Sequence, residues 1–221
     1  MIRVLGLHGF RTNGRVLQRQ AAKLQAACSE LKGGTEFEFT MLDGPTPAAG
    51  DIDPAVSSLF PDEEMFYEWW NSVEDESGQK HYKGSTQTLS SLREYLRHEP
   101  AFDVYMGFSQ GACLATVLAA DALARRSTKA PSLVLLFCGL APALGAIPGA
   151  AAWLPTVDAP MALPSVHVLG KEDKIYDRGV QLTQHFQEHG RHVLVHEGGH
   201  RLPRDAETNK AIAELLVQGL T

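Results

Sequence analysis

An α/β fold, with a mostly parallel central sheet covered by helices on both faces, is predicted by three observations. Six short apolar runs alternate along the chain with segments of helical periodicity. The runs are rich in Val, Leu, Ile and Phe and lack the polar alternation of a half-exposed sheet, as strands buried on both faces do. A length of 221 residues suits one domain, residues 1–221, built around a shared core.

The first strand is expected over Ile2 to His8, followed by a helix over Arg15 to Leu31 and a strand over Thr35 to Leu42. A helix over Thr86 to His98 places Leu89, Leu92, Leu96 and Tyr95 at helical spacing and leaves Arg93, Glu94 and Arg97 for solvent. Next come a strand over Asp103 to Phe108, a helix over Gln110 to Arg126, and strands over Ser132 to Cys138 and Ser165 to Gly170. A helix over Arg178 to His189, a strand over His192 to His196 and a helix over Ala206 to Leu220 complete the alternation.

Two stretches interrupt it. Gly44 to Gly84 carries Pro45, Pro47, Pro54, Pro61 and the aromatic cluster Phe66, Tyr67, Trp69 and Trp70. Leu140 to Pro164 is rich in Pro, Gly and Ala and contains Trp153. Long irregular stretches in a compact domain are commonly functional loops. Residues 44–84 are therefore a candidate substrate-covering region, with Trp69 and Trp70 as candidate acyl-pocket walls. The competing expectation is that both tryptophans only pack the excursion onto the sheet.

Net charge is -6, which argues against nucleic acid or an anionic membrane surface as the main partner. No apolar run reaches transmembrane length, so stable membrane insertion is not expected. The first residues lack signal-peptide architecture, and Cys28, Cys113 and Cys138 lack C-x-x-C spacing. A cytoplasmic protein with free thiols is the expectation.

The chemistry enters at Gly107-Phe108-Ser109-Gln110-Gly111, a G-x-S-x-G turn between an expected strand and an expected helix. A glycine-bounded turn with an ordinary serine would share the five letters. The strand ahead and the helix behind distinguish a nucleophile elbow, in which the backbone bends sharply and projects the serine hydroxyl over the sheet. A serine hydroxyl needs a base to take its proton and an acid to orient that base. The order Ser, Asp, His along the chain is that of an α/β-hydrolase.

His200 is the candidate base, because it follows the last strand on the glycine-rich loop Glu197-Gly198-Gly199. His196, at the end of that strand, is the rival, while His185, His189 and His192 are expected to face solvent. Asp173 is the candidate acid after the strand ending at Gly170, with Glu172 and Asp177 nearby as alternatives. The backbone N–H groups of Gln110 and Phe10 are the candidate oxyanion donors, the first at a helix N-terminus, the second after the first strand. Phe108 joins Trp69 and Trp70 as a candidate substrate contact.

Further motifs occur in register: Leu7-His8-Gly9-Phe10-Arg11-Thr12-Asn13-Gly14, Phe39-Thr40-Met41-Leu42-Asp43-Gly44-Pro45, Trp69-Trp70 and Gly198-Gly199-His200-Arg201-Leu202-Pro203. With the elbow they resemble the FSH family of eukaryotic serine hydrolases, the ovarian-cancer-associated-gene-2-like enzymes, over nearly the whole chain. The resemblance implies a small α/β-hydrolase fold without a large separate lid domain. It implies carboxylesterase or thioesterase activity, with Ser109, Asp173 and His200 as triad, Phe10 and Gln110 at the oxyanion positions, and neither cofactor nor metal. Small-molecule esters or thioesters are the implied substrates, and an acyl carrier protein is an implied partner for relatives that release carrier-bound chains. Gly44 and the wording of Gly78 to Lys83 depart from the family pattern, so substrate specificity does not carry over. Two other readings stand beside an esterase: a dedicated thioesterase acting on a carrier-bound chain, and a non-catalytic binding module on the same fold.

Overall fold

The computed structural model describes residues 1–31 and 33–220. Its elements in chain order are β1 (Ile2–Leu7), α1 (Gly14–Gln20), α2 (Ala22–Ser29), β2 (Phe37–Leu42), β3 (Thr46–Pro47) and α3 (Pro54–Leu59). There follow β4 (Tyr67–Glu68), β5 (Asn71–Glu74), β6 (Lys80–Lys83), α4 (Ser85–His98), β7 (Val104–Phe108) and α5 (Gln110–Ala124). The chain then forms β8 (Leu133–Phe137), β9 (Ser165–Gly170), α6 (Tyr176–Thr183), β10 (Arg191–His196) and α7 (Ala206–Gln218).

Six strands form one sheet in the order β10-β9-β8-β7-β1-β2, with every neighbouring pair parallel. The central strands β7, β8 and β9 are buried at every residue, which is why their sequences read as unbroken apolar runs. Side chains alternate between two cores with the period of two that a strand imposes. Val104, Met106, Leu133, Leu135 and Phe137 meet α1, α2 and α7 through Leu17, Leu24, Ile212 and Leu216. Leu5, Leu7, Tyr105, Val134 and Leu136 meet α4, α5 and α6 through Leu89, Leu92, Leu114, Val117 and Leu182.

Strand order reverses between β1 and β7. Their C-terminal loops bear Phe10 and Ser109, and such a switch point leaves a crevice at the sheet's carboxyl edge.

The expected helix Arg15 to Leu31 divides at Ala21, whose ψ of 2° separates α1 from α2. The helix expected to reach His189 stops at Thr183. Beyond it, Phe186 is drawn into the core, and Met161 bridges to the segment by accepting from Gln187 N–H and donating to the His185 carbonyl. The Gly44–Gly84 excursion is more ordered than its composition suggests, with antiparallel pairs β3–β4 and β5–β6 and the short helix α3. Ala146, Ile147, Ala150 and Leu154 of the second stretch are buried in the core on the α5 side. All three cysteines are free and buried. Among the described residues no helix is long and apolar enough to cross a membrane.

Candidate active site

The turn between β7 and α5 is shaped by what its neighbours allow. A Cβ on Gly107 would lie 2.2 Å from the Gly111 carbonyl oxygen, and one on Gly111 would lie 2.0 Å from that of Leu7. Only glycine fits at either place. Between them Ser109 adopts φ 54°, ψ -115°, a region L side chains rarely occupy, at a cost of about 1–3 kcal/mol. Its N–H donates to the Phe137 carbonyl at 2.9 Å, which ties the strained residue to β8.

The loops after β9 and β10 bring two partners to this serine. The Ser109 hydroxyl donates to His200 Nε2 at 2.9 Å, and His200 Nδ1–H donates to Asp173 Oδ2 at 2.7 Å. The second carboxylate oxygen of Asp173 accepts from Ile175 N–H at 2.9 Å. The Asp173 side chain is 3% exposed while that of His200 is 38% exposed, so a buried carboxylate holds an imidazole that reaches solvent. Gly170 makes this meeting possible, since a Cβ there would lie 2.2 Å from the Gly199 carbonyl oxygen.

His196 lies behind the His200 loop. Its Nδ1 accepts from Gly198 N–H at 3.1 Å, and burial, followed by the charge of Arg201, lowers its pKa. Of the histidines expected at the surface, His189 and His192 are exposed, whereas His185 is half-buried with Nδ1 2.9 Å from the Pro155 carbonyl oxygen.

Phe10 sits on the loop after β1, and Gln110 opens α5. Among the described residues neither backbone N–H has a hydrogen-bond partner. The Gln110 side chain is spent on the tryptophan segment, donating to the Trp70 carbonyl at 2.8 Å and accepting from Trp69 N–H at 3.4 Å. His8 braces the same loop from within. Its Nε2 accepts from Gly44 N–H at 2.9 Å, so the proton is on Nδ1, which donates to the Gly9 carbonyl at 2.7 Å. Burial pushes its pKa down to about 4, so His8 is neutral at pH 7.

Trp69 and Trp70 do not wall an acyl pocket. Trp69 is 0% exposed, stacks on His8 with ring centroids 4.7 Å apart, and donates from Nε1 to the His8 carbonyl at 2.8 Å. Trp70 is 3% exposed and stacks on Tyr82 at 4.8 Å. Their aromatic area is consumed in packing the excursion onto the sheet. Phe108 lies at the site, its ring 5.0 Å from that of His200, and Phe10 is 42% exposed beside it.

Three residues beside this site escaped the sequence reading: Arg11, Glu68 and Cys138. Arg11 and Cys138 hold positive φ values of 50° and 46°. Glu68 is a carboxylate inside the aromatic run Tyr67 to Trp70, and a buried charge there needs a cation, a signal the sequence did offer.

Comparison with known proteins places the chain among esterases. A family model described as serine hydrolase (FSH1) matches residues 1–212. Esterase OVCA2 from Homo sapiens is 31% identical, with 98% of this chain and 96% of that protein covered. Esterase FUS5 from Gibberella moniliformis is 26% identical, with 97% and 85% covered. Among solved structures, esterase PE8 has a TM-score of 0.62 at 18% identity, covering 98% of this chain and 92% of that one. A Bacillus cereus carboxylesterase has a TM-score of 0.60 at 17% identity, covering 99% and 88%. These two likenesses establish the α/β-hydrolase fold, and the match across residues 1–212 establishes that the chain belongs to the FSH1 serine hydrolase family.

Proposed function

We propose that this serine hydrolase cleaves carboxylic esters or acyl thioesters through an acyl-Ser109 intermediate, residues 1–221 acting as one catalytic domain. The observation that carries this reading is the line Ser109 Oγ, His200 Nε2, His200 Nδ1, Asp173 Oδ2, with spacings of 2.9 and 2.7 Å. His200 takes the Ser109 proton as Oγ attacks the acyl carbon, and Asp173 stabilises the imidazolium without taking the proton itself. The Phe10 and Gln110 N–H groups stabilise the oxyanion, a role supported by their lack of other partners and by the helix N-terminus at Gln110. His200 then protonates the leaving alcohol or thiol. Water attacks the acyl-enzyme with His200 as base, and the acid leaves. Phe10, which is exposed, gives apolar surface for the acyl chain, while Phe108 is buried and packs against the His200 ring. Three free, buried cysteines support the expected cytoplasmic setting.

The test compares kcat/KM for p-nitrophenyl esters and matched acyl-CoA thioesters in wild type, Ser109→Ala and His200→Ala. Loss of roughly 10⁴–10⁶ in kcat with folding retained is expected for either variant. Turnover by Ser109→Ala near the wild-type rate would refute the assignment. Stoichiometric fluorophosphonate labelling of Ser109 distinguishes an enzyme from a binding module.

A further inference from the structure

We propose that the buried end of the Asp173–His200 pair doubles as an inhibitory site for a thiophilic divalent cation such as Zn²⁺ or Cd²⁺, with Cys138 as the third ligand. Cys138 follows β8 at the carboxyl edge of the sheet and is 2% exposed. Its φ of 46° is unusual for any residue but glycine. Its N–H pairs with the Val168 carbonyl at 2.9 Å, and its thiol donates to the Arg201 carbonyl at 3.5 Å, next to His200. One ligand atom from each of Cys138, Asp173 and His200 lies within 4.8 Å of the other two. No other group of three His, Cys, Asp or Glu ligands comes together in this way among the described residues.

Thiolate, imidazole and carboxylate are the donor set zinc takes, at metal–ligand lengths of about 2.0–2.3 Å. A tetrahedral site with those lengths holds its ligand atoms about 3.3–3.7 Å apart. The Asp173 Oδ2 to His200 Nδ1 separation of 2.7 Å therefore widens by under about 1 Å, and the sulfur, within 4.8 Å of both, closes by no more than about 1.5 Å. His200 is the member that moves. Its ring is partly exposed on a Gly198-Gly199 loop, whereas Cys138 and Asp173 are buried.

Binding forms one S–metal, one N–metal and one O–metal bond, releases the thiol proton to solvent, shifts the imidazole proton from Nδ1 to Nε2, and transfers no electron. Water completes the coordination. The metal replaces the Nδ1–H···Oδ2 hydrogen bond that orients the ring, and Nε2, now carrying the ring proton, can no longer take the proton of Ser109. The inhibitory consequence rests on the proposed role of His200. Occupancy of the site does not.

The experiment titrates the full chain with Cd²⁺ while following the ultraviolet thiolate-to-cadmium charge-transfer band. In parallel, Zn²⁺ inhibition of p-nitrophenyl butyrate hydrolysis is measured. Cys138→Ser and the double variant Cys28→Ser/Cys113→Ser are compared with wild type. The expected result is one Cd²⁺ per chain, with a band kept by the double variant and lost in Cys138→Ser. Zn²⁺ inhibition is expected to be reversed by EDTA and weakened about tenfold or more in Cys138→Ser, with metal-free kcat/KM unchanged. Absence of the band at saturating Cd²⁺ in wild type overturns the proposal, as does equal Zn²⁺ inhibition of Cys138→Ser. Should Cys138→Ser not fold, band retention in the double variant decides the ligand. A protein that binds Cd²⁺ through Cys138 but hydrolyses no ester refutes the proposed function and leaves the metal site standing.

Discussion

Arg11 and Glu68 meet in a 2.7 Å ion pair that fastens the Gly44–Gly84 excursion to the loop carrying Phe10. The Glu68 carboxylate is almost fully buried and also accepts from Ala49 N–H at 3.1 Å and from the Asn71 side-chain amide. The other arms of the Arg11 guanidinium donate to the carbonyls of Asp51 at 3.0 Å and Ala49 at 2.7 Å, and its carbon lies 4.7 Å from the Phe10 ring centre. Gly50 holds φ 122°, a conformation that favours glycine, beside the Arg11 guanidinium. A second tie runs from Asn13 Nδ2 to Glu63 at 3.0 Å and to the Met65 carbonyl at 2.7 Å. The excursion is thus pinned where it meets the loop carrying Phe10.

Removing Arg11 therefore acts on both stability and turnover. Arg11→Ala leaves the Glu68 charge buried without its cation, a change that typically costs about 3–5 kcal/mol. It also frees Phe10 from the guanidinium, so kcat is expected to fall about 10–100-fold with KM changed only a few-fold, as when an oxyanion donor is misaligned. Arg11→Lys keeps the charge without the planar three-way geometry and recovers only part of the loss. Urea melts and steady-state kinetics check both effects. Wild-type kcat in a folded Arg11→Ala would rule out the positioning role.

The strain at Ser109 gives an expectation opposite to ordinary experience. At most positions glycine is less stable than alanine by roughly 0.5–1 kcal/mol. At φ 54° the Cβ itself is strained, so Ser109→Gly is expected to exceed Ser109→Ala in stability by about 1 kcal/mol. Neither variant has the hydroxyl, so the comparison isolates the Cβ. Denaturation midpoints of the two proteins decide it, and a less stable glycine variant would show that the elbow stores no strain.

The parallel sheet was legible because β7, β8 and β9 are buried on both faces and so write continuous apolar runs. Ser109, Asp173 and His200 could be selected because each follows a strand, and parallel strands deliver their C-terminal loops to one edge. The choice between the two readings of the tryptophans stayed open for a physical reason. An aromatic cluster in a proline-rich stretch reads the same whether it lines a pocket or fastens a loop. What decides is the distant partner, here His8 for Trp69 and Tyr82 for Trp70. The break at Ala21 was hidden because the apolar pattern of α1 continues into α2. The place of Cys138 was hidden because nothing local says that Asp173 and His200 converge on it.

Buried neutral histidines set the acid limit of the fold. Burial holds His8 at about 4 and, with a smaller contribution from Arg191, holds His167 at about 3, against 6.5 for an exposed imidazole. Both folded-state values are depressed, so the unfolded chain binds the proton first as pH drops below about 6.5. Stability is complete above that pH and is lost progressively toward pH 4, each histidine contributing roughly 2 kcal/mol of loss by pH 5. Urea unfolding at pH 7 and pH 5 should therefore differ by roughly 4 kcal/mol from these two groups alone. His167→Leu separates them. Its imidazole makes one hydrogen bond, to Ser165 Oγ at 3.1 Å, and packs edge-on against Phe186, so an apolar side chain can replace it. The variant should lose about half of the pH dependence and keep the part due to His8, whose hydrogen bonds join the loop after β1 to Gly44. A wild-type stability that stays flat between pH 7 and pH 5 would mean that these imidazoles are not held neutral by the fold.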